Sequence, residues 1–432
     1  MDDFSRRTIP RFNDAVLCVA NAVPDSAVVF RGGSCIYEAF DSVFAGHDLG
    51  QTLLQDLARR RIFDTTEPDT TSMLGVESRV GEVKQWKAGL MDRRVLFIAE
   101  LARITLMGES IRIAAETVRK NTGIPCVPAR SITLIRDDAD ALRSLLDGMV
   151  RVVLEQPLPD VRKGTVGILG YPHTRNEGDT AGDLAELQRL VAGLGLEPLP
   201  IWLSGATWDL LAQIAQAEHL VALPDGLPAA QRLAKATGAP ILTTPLPVSL
   251  GQNEDWLRAL AERTGTQAAC EALLDAELRH VVPRIDQYVR RFLLGRRAIV
   301  VASAAWLPGI VRCLTEDLGI DVVRAVQRSR RDETQPDANP LDVSRTFDPS
   351  EASLQHHIGA ALAQGGLDLV IGSSWERNAL HRAHAAIPFV EFGFPQERAH
   401  FLAPTPHLGF AGVATWAQRI YDALVAGGRI QV

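Results

Sequence analysis

Short β-branched apolar runs alternate with longer amphipathic segments along this chain, and this alternation constrains the fold more than any other feature. Residues 27–30, 95–99, 165–170 and 297–302 are apolar runs typical of strands that are buried on both faces. Between such runs, apolar residues recur at helical spacing, as the leucines at positions 184, 187, 190 and 194 do. The alternation therefore predicts mostly parallel sheets covered by helices on both sides.

The alternating pattern falls into three similar blocks. A chain of 432 residues is long enough for two or three domains at about 150 residues each. We predict three doubly wound α/β/α domains, at 1–157, 158–294 and 295–432, with the proline-containing charged stretch 156–163 as a linker. Further strands are predicted at 197–202, 219–223, 240–243, 322–326, 367–372 and 387–390, a long helical stretch at 254–292, and an exposed loop at 328–351.

Composition excludes several classes of protein. Hydrophobic residues make up 46% and charged residues 22% of the chain, which is typical of folded soluble proteins. Lys and Arg number 45 against 52 Asp and Glu, so the balance argues against a nucleic acid partner. There is no apolar run of about 18 residues, and residues 1–7 lack the apolar core of a signal peptide. We therefore expect a cytoplasmic protein that contacts neither membrane nor nucleic acid.

Five scattered cysteines form no CxxC pair, which disfavours a disulfide framework or a zinc site built from this chain alone: Cys18, Cys35, Cys126, Cys270 and Cys313. Cys35 differs from the others because it ends a Gly-Gly-Ser-Cys sequence directly after a predicted strand. Glycines such as Gly33 allow close backbone approach, and a helix start favours a thiolate. The residues alone leave open whether Cys35 is reactive or packs as a small apolar side chain.

Three other loops carry polar side chains after predicted strands, where ligands bind in such sheets. Residues 62–69 concentrate carboxylates and hydroxyls, as a ligand site or an exposed helix cap does. Residues 170–179 contain His173 and Arg175 and fit a ligand site or a subunit contact, but match no nucleotide motif. Residues 372–377 and 391–395 place aromatic side chains between glycines, at an interface or facing a cofactor.

Other chemistry has little support in the sequence. The histidines at 356, 357, 381, 384, 400 and 407 are expected at the surface rather than on a metal. The sequence contains neither a Gly-x-Ser-x-Gly elbow nor an HExxH motif, so hydrolase chemistry is not indicated. No residue is predicted to be catalytic.

These motifs together resemble the nitrogenase component 1 superfamily, which includes nitrogenase itself, its cofactor-assembly scaffold, the dark-operative tetrapyrrole reductases and methylthio-alkane reductase. Residues 32–35 are similar to the family's glycine-cysteine cluster loop, and 182–190 with Gly195 and 203–207 are similar to its second-domain pattern. The carboxyl-terminal segments 369–374, 392–395 and 409–412 resemble those of the small, β-type subunits. The resemblance spans nearly the whole chain.

The resemblance implies an iron-sulfur cluster at the interface with a homologous α-type subunit, in an α2β2 assembly that receives electrons from an ATP-hydrolysing homodimeric iron-sulfur protein. Cys35 is then a ligand, with Gly33 beside the cluster and Asp64 as a further candidate ligand. Nitrogenase β subunits supply three cysteines to an eight-iron cluster, whereas the corresponding segments 63–67 and 101–105 contain none. The departure favours a four-iron cluster over an eight-iron one of the P-cluster type, with any larger iron-sulfur cofactor in the partner.

The resemblance thus implies the β-type subunit of a nitrogenase-like oxidoreductase that relays electrons to a substrate or cofactor site. Candidate substrates are small molecules: the carbon-sulfur bond of methylthio-alkanes or a tetrapyrrole double bond. One alternative is the non-catalytic half of a scaffold on which a nitrogenase-type cofactor matures. Another is a metal-free binding protein built from similar α/β lobes.

Overall fold

Three parallel sheets, each covered by helices, make up the computed structural model of the chain. The structure describes residues 11–31, 40, 44, 46–54, 60–65, 90, 92–101, 104, 110–129, 137–329, 345–347, 350–383 and 385–430. The predicted cluster loop, with Gly33 and Cys35, lies outside these residues. Every pairing between named strands of the described part is parallel. The predicted class, doubly wound α/β, is confirmed.

The sheets share one connectivity. The first has the order β2-β1-β3-β4, the second β6-β5-β7-β8 and the third β11-β10-β9-β12-β13. In each, the first strand has the second strand on one side and a later strand on the other, which places the topological switch point beside the first strand. The strands are β1 (Ser26–Arg31), β2 (Ile62–Thr65), β3 (Val95–Glu100), β4 (Cys126–Pro128), β5 (Arg162–Leu169), β6 (Glu197–Pro198), β7 (Ala217–Ala222), β8 (Ile241–Thr243), β9 (Arg297–Ala302), β10 (Asp321–Gln327), β11 (Arg345–Phe347), β12 (Leu369–Gly372) and β13 (Phe389–Glu391).

Amphipathic helices cover the sheets and bury one face each. In the first sheet Val29 and Ile98 pack against Val118, and in the third Val301 and Val370 pack against Ile358. The helices are α1 (Phe12–Asn21), α2 (Ile111–Thr122), α3 (Asp138–Val153), α4 (Gly178–Gly193), α5 (Trp208–Ala212), α6 (Leu227–Thr237), α7 (Leu250–Thr264), α8 (Gln267–Tyr288), α9 (Leu307–Arg312), α10 (Glu351–Ala363), α11 (Ser374–Arg382) and α12 (Gly409–Ala426). No helix of the described residues is long and apolar enough to cross a membrane.

Contacts within the chain define two compact units. One contains residues 10–176 and 197–243, which include the first two sheets. The other contains residues 1–9, 177–196 and 244–432, which include the third sheet and helix α4. The predicted domain boundaries at 157/158 and 294/295 stay a prediction.

Four segments differ from the sequence prediction. The stretch 254–292 is not one helix: α7 ends before Gly265, whose φ of +73° is a left-handed conformation that glycine adopts at low cost. Residues 62–65, expected in a loop, are strand β2, and the predicted loop 328–351 contains the edge strand β11. The strand expected at 197–202 is limited to β6.

Candidate functional site

Two buried, oppositely charged residues end the two central strands of the first sheet. Arg31 closes β1 and Glu100 closes β3, and the two residues are partners in the strand register. The Arg31 guanidinium donates to the Glu100 carboxylate at 2.7 Å (Nη1 to Oε1), and both side chains are less than a tenth exposed. The pair joins the ends of β1 and β3 at the switch point. Residues 32–35 follow β1 in the sequence. Sequence analysis missed it, although a charge at the end of each apolar run was visible.

Asp64 lies at the same edge of this sheet. It is the next-to-last residue of β2, half-buried, and pairs with Phe30 of β1. Because side chains alternate along a strand, Asp64 shares the sheet face of Phe30, and Arg31 projects from the other face. The strand that Asp64 flanks is the one that leads into the segment with Gly33 and Cys35.

The described part of the chain contains no group of three or more His, Cys, Asp or Glu side chains arranged to hold a metal ion. Of its four cysteines, Cys18, Cys270 and Cys313 are buried and Cys126 is half-buried. Burial raises the pKa of each thiol, that of Cys126 to about 12. They are therefore protonated at neutral pH, and a protonated thiol is neither a good nucleophile nor a good metal ligand.

The loop after β5 turns its polar side chains inward. His173 is 3% exposed, and neither ring nitrogen has a hydrogen-bond partner. Burial lowers the pKa of His173 to about 4, so the ring is neutral at physiological pH. Arg175, 1% exposed, donates to the carbonyl of His47 at 3.3 Å. Buried in this way, neither side chain is presented to another subunit.

The loop after β5 is in close backbone contact with the loop after β7. Gly170 has a φ of +94°. A Cβ added at this position would lie 2.3 Å from the backbone nitrogen of Gly226 in the loop after β7. The loop is also fixed by Asp48, which accepts hydrogen bonds from the Asn176 amide at 3.0 Å and from the Asn21 side chain at 2.7 Å. The loops after β5 and β7 are therefore in direct backbone contact, and Gly170 has no space for a side chain.

A buried charge network occupies the carboxyl edge of the third sheet. Glu376 accepts from the backbone nitrogen and hydroxyl of Ser373, at 2.8 and 2.7 Å, and from Arg328. Arg328 also donates to the carbonyl of Phe394 at 2.7 Å and lies over the ring of Trp375. The segments 372–377 and 391–395 thus meet, and their charged groups face the protein interior.

This network is incompletely satisfied. Arg328 and Glu376 are 3% and 1% exposed, yet Arg328 Nε and Glu376 Oε1 have no hydrogen-bond partner. Buried polar groups in folded proteins are normally paired, with protein or with ordered water. No local pattern predicts this pair, because its members are 48 residues apart in the chain.

The histidines differ in exposure, and His357 is half-buried. His356 and His381 are exposed, as predicted, and His384 lies outside the described residues. The surface prediction is wrong for His407, which is 1% exposed: its backbone nitrogen donates to Asp183 at 2.5 Å, and its Nε2 lies 2.6 Å from Arg419 Nη1. His400 is half-buried, with Nδ1 2.8 Å from the Glu177 carboxylate. The contact between Arg419 and the His407 ring supplies a polar partner for the buried imidazole.

The three repeated parallel sheets, with buried polar groups at their carboxyl edges, define a doubly wound α/β protein. The chain belongs to the nitrogenase component 1 type oxidoreductases, because the model of that family matches residues 88–425. The superfamily predicted from the sequence is confirmed.

Solved structures share the fold of the chain. "Nitrogenase Cp1 at pH 6.5" matches with a TM-score of 0.78 at 13% identity, covering 98% of this chain and 93% of that one. "Nitrogenase Cp1 at pH 5" matches with a TM-score of 0.72 at 13% identity, covering 100% and 92%. At this identity the likeness shows a common fold. A comparison with curated proteins gives no match.

Proposed function

We propose that the chain is the β-type subunit of a nitrogenase-like, ATP-dependent reductase component. In this role it pairs with a homologous α-type subunit, docks a homodimeric ATP-hydrolysing iron-sulfur protein, and relays electrons toward a substrate or cofactor site in the partner. Membership of the oxidoreductase family supports the redox role. The observation that carries the proposal is the sequence position of Cys35. It follows the end of β1 by four residues, and β1 ends at the switch point of the first sheet.

The first sheet offers a suitable edge for a shared iron-sulfur cluster. The ion pair between Arg31 and Glu100 fixes the two strand ends, and Gly33 lets the backbone approach inorganic sulfide closely. Asp64 supplies a carboxylate on the strand beside β1. The Cys35 thiolate and the Asp64 carboxylate are in this proposal two ligands of one cluster, and the partner subunit supplies the rest.

One thiolate and one carboxylate fit part of a four-iron cluster better than part of an eight-iron one. A bound cluster supplies one-electron transfer. A carboxylate ligand is harder and more negative than a neutral one, so Asp64 tunes the reduction potential of that cluster. The substrates that we propose are small molecules with a carbon-sulfur bond, such as methylthio-alkanes, or a tetrapyrrole double bond.

Iron and acid-labile sulfide, measured per αβ pair after anaerobic co-purification, test the proposal. We expect about four irons per pair, and near-complete loss of iron in Cys35→Ala with the circular dichroism spectrum unchanged. Cys126→Ala is the matched control, because it removes a half-buried thiol with a raised pKa from the same sheet. Asp64→Asn is expected to shift the reduction potential while keeping most of the iron.

Two results contradict parts of the proposal. If Cys35→Ala retains its iron, Cys35 is not a ligand. Roughly sixteen irons per αβ pair would instead indicate an eight-iron cluster together with a large cofactor. Transfer of a bound cofactor to an apo-enzyme, without turnover of any small substrate, contradicts the reductase role itself.

A further inference from the structure

A cavity of about 620 Å³ lies between helices α4, α8 and α12, away from the sheet edges described above. All three helices belong to the unit that contains the third sheet. Its volume is in the range typical of small-molecule sites, roughly 300–1,000 Å³. Nothing in the proposed function uses this cavity.

The cavity walls are held in place by an ion network. Arg189 of α4 donates through Nε and Nη2 to Glu186, at 2.8 and 2.9 Å, and through Nη1 to Glu277 of α8. Glu186 also accepts from the backbone nitrogen of Ala411 in the first turn of α12, at 3.3 Å. Each helix is therefore tied to another by a charged contact, and the site is formed before any ligand arrives.

The charges are arranged along α8. Glu186 and Glu277 are both engaged by Arg189, whereas Arg284 has no carboxylate partner among the residues that the structure describes. Arg284 follows Glu277 by seven residues, which places it about 10.5 Å further along the helix axis on the same face. His280 lies between them and also lines the cavity. One end of the cavity is thus cationic and the other contains the satisfied acidic network.

Apolar surface connects the two ends. Val281 and Phe410 form the floor of the cavity, but at 3% and 1% exposed they contribute little accessible surface. The alanines at 276, 411 and 414 line the cavity with methyl groups. Because these side chains are small, they leave space for a ligand. A molecule that fills this space needs a hydrocarbon body of about the length between Arg284 and Glu277.

We propose that the cavity binds a small amphiphilic monoanion, with its carboxylate on Arg284 and its hydrocarbon chain against the methyl groups of the three lining alanines. A guanidinium recognises a carboxylate through charge-assisted, bidentate hydrogen bonds. A second carboxylate on the ligand meets Glu277 at the other end, so a dianion of the same length binds more weakly. The cavity therefore selects for one charged end and one apolar end.

Isothermal titration of the full chain, with any partner that co-purifies, tests the site with octanoate and with the dicarboxylate suberate. We expect one octanoate per chain and weaker binding of suberate. Arg284→Gln should weaken octanoate binding about tenfold, while Arg279→Gln, a neighbouring exposed residue paired with Asp275 instead, leaves it unchanged. Ala414→Phe should abolish binding by filling the cavity.

Glu277→Gln should bring the affinity for suberate up toward that for octanoate, because it removes the carboxylate that repels the second charge of suberate. Absence of saturable octanoate binding by the wild-type chain overturns the proposal, and so does equal affinity in wild type and Arg284→Gln. If Ala414→Phe fails to fold, as judged by circular dichroism, Arg284→Gln and Arg279→Gln decide the question. None of these readouts depends on iron content, so this proposal and the proposed function fail separately.

Discussion

Removing the carboxylate of Glu376 should destabilise the chain more than removing an exposed one. Glu376 and Arg328 are 1% and 3% exposed, so Glu376→Ala leaves a guanidinium buried without its counter-charge. Breaking a buried pair from one side typically costs about 3–5 kcal/mol. Glu376 also closes the capping box of α11 with Ser373, and loss of a cap costs about 1 kcal/mol. Because these effects overlap, we expect the free energy of unfolding to fall by about 4 kcal/mol.

Urea-induced unfolding of the full chain at pH 7.5, followed by circular dichroism, measures this change. Asp275→Asn is the matched control, because Asp275 and Arg279 form an ion pair at 2.8 Å with side chains that are 59% and 78% exposed. Such a pair contributes less than about 1 kcal/mol. In thermal unfolding, a loss of about 4 kcal/mol corresponds to a fall in Tm of roughly 10 °C for a unit of about 200 residues.

A double variant separates buried charge from lost packing. Arg328→Met in the Glu376→Ala background removes the uncompensated guanidinium, so we expect part of the stability to return. The recovery is incomplete because the contact of Arg328 with the Phe394 carbonyl is also lost. The reasoning is refuted if Glu376→Ala costs no more than Asp275→Asn, or if the double variant is less stable than Glu376→Ala alone.

Two further predictions concern His173 and a buried glycine. Burial holds the pKa of His173 at about 4, against an ordinary value of 6.5, so the unfolded chain takes up the proton first as the pH falls. The free energy of unfolding therefore falls as the pH drops from 6.5 toward 4, because protonation favours the unfolded chain. Between pH 7.5 and 5 the loss is about 2 kcal/mol. Urea unfolding at both pH values should show a smaller difference in His173→Gln, and an unchanged one would contradict this. Gly178→Ala places a Cβ 2.1 Å from the backbone oxygen of Ala403 and should cost about 1–3 kcal/mol in urea unfolding. Gly359→Ala, in α10 with nothing within 4 Å of the added Cβ, should instead stabilise by about 0.5–1 kcal/mol, and equal effects would refute the steric argument.

The fold followed from the sequence wherever hydrophobic periodicity was strong. The buried central strands β1, β3, β5 and β9 are continuous apolar runs, so their positions and the α/β class were predicted. Strand β2 was missed because its polar end, with Asp64, is typical of a loop. Its strand character depends on pairing with β1, and that register is not visible within the segment itself.

Polar contacts between residues far apart in the sequence limited how much of the candidate site could be predicted. The partnership of Arg328 with Glu376 has no local signature in the sequence. His407 was expected at the surface, because histidine is usually exposed, but it is buried, and one of its partners, Asp183, lies 224 residues earlier in the chain. Cys35, by contrast, was singled out by its glycine neighbours alone, and its role stays a prediction.

Helix α4 has a consequence for synthesis of the chain on the ribosome. Its carboxylates Asp183 and Glu186 accept hydrogen bonds from the backbone of residues made 224 and 225 positions later, His407 and Ala411. Until those residues are made, α4 lacks these hydrogen bonds, and the residues that precede and follow it in the sequence, 10–176 and 197–243, belong to the other unit. Nascent chains that stop before residue 407 therefore lack these two contacts, and α4 completes its polar contacts only when the start of α12 has been made.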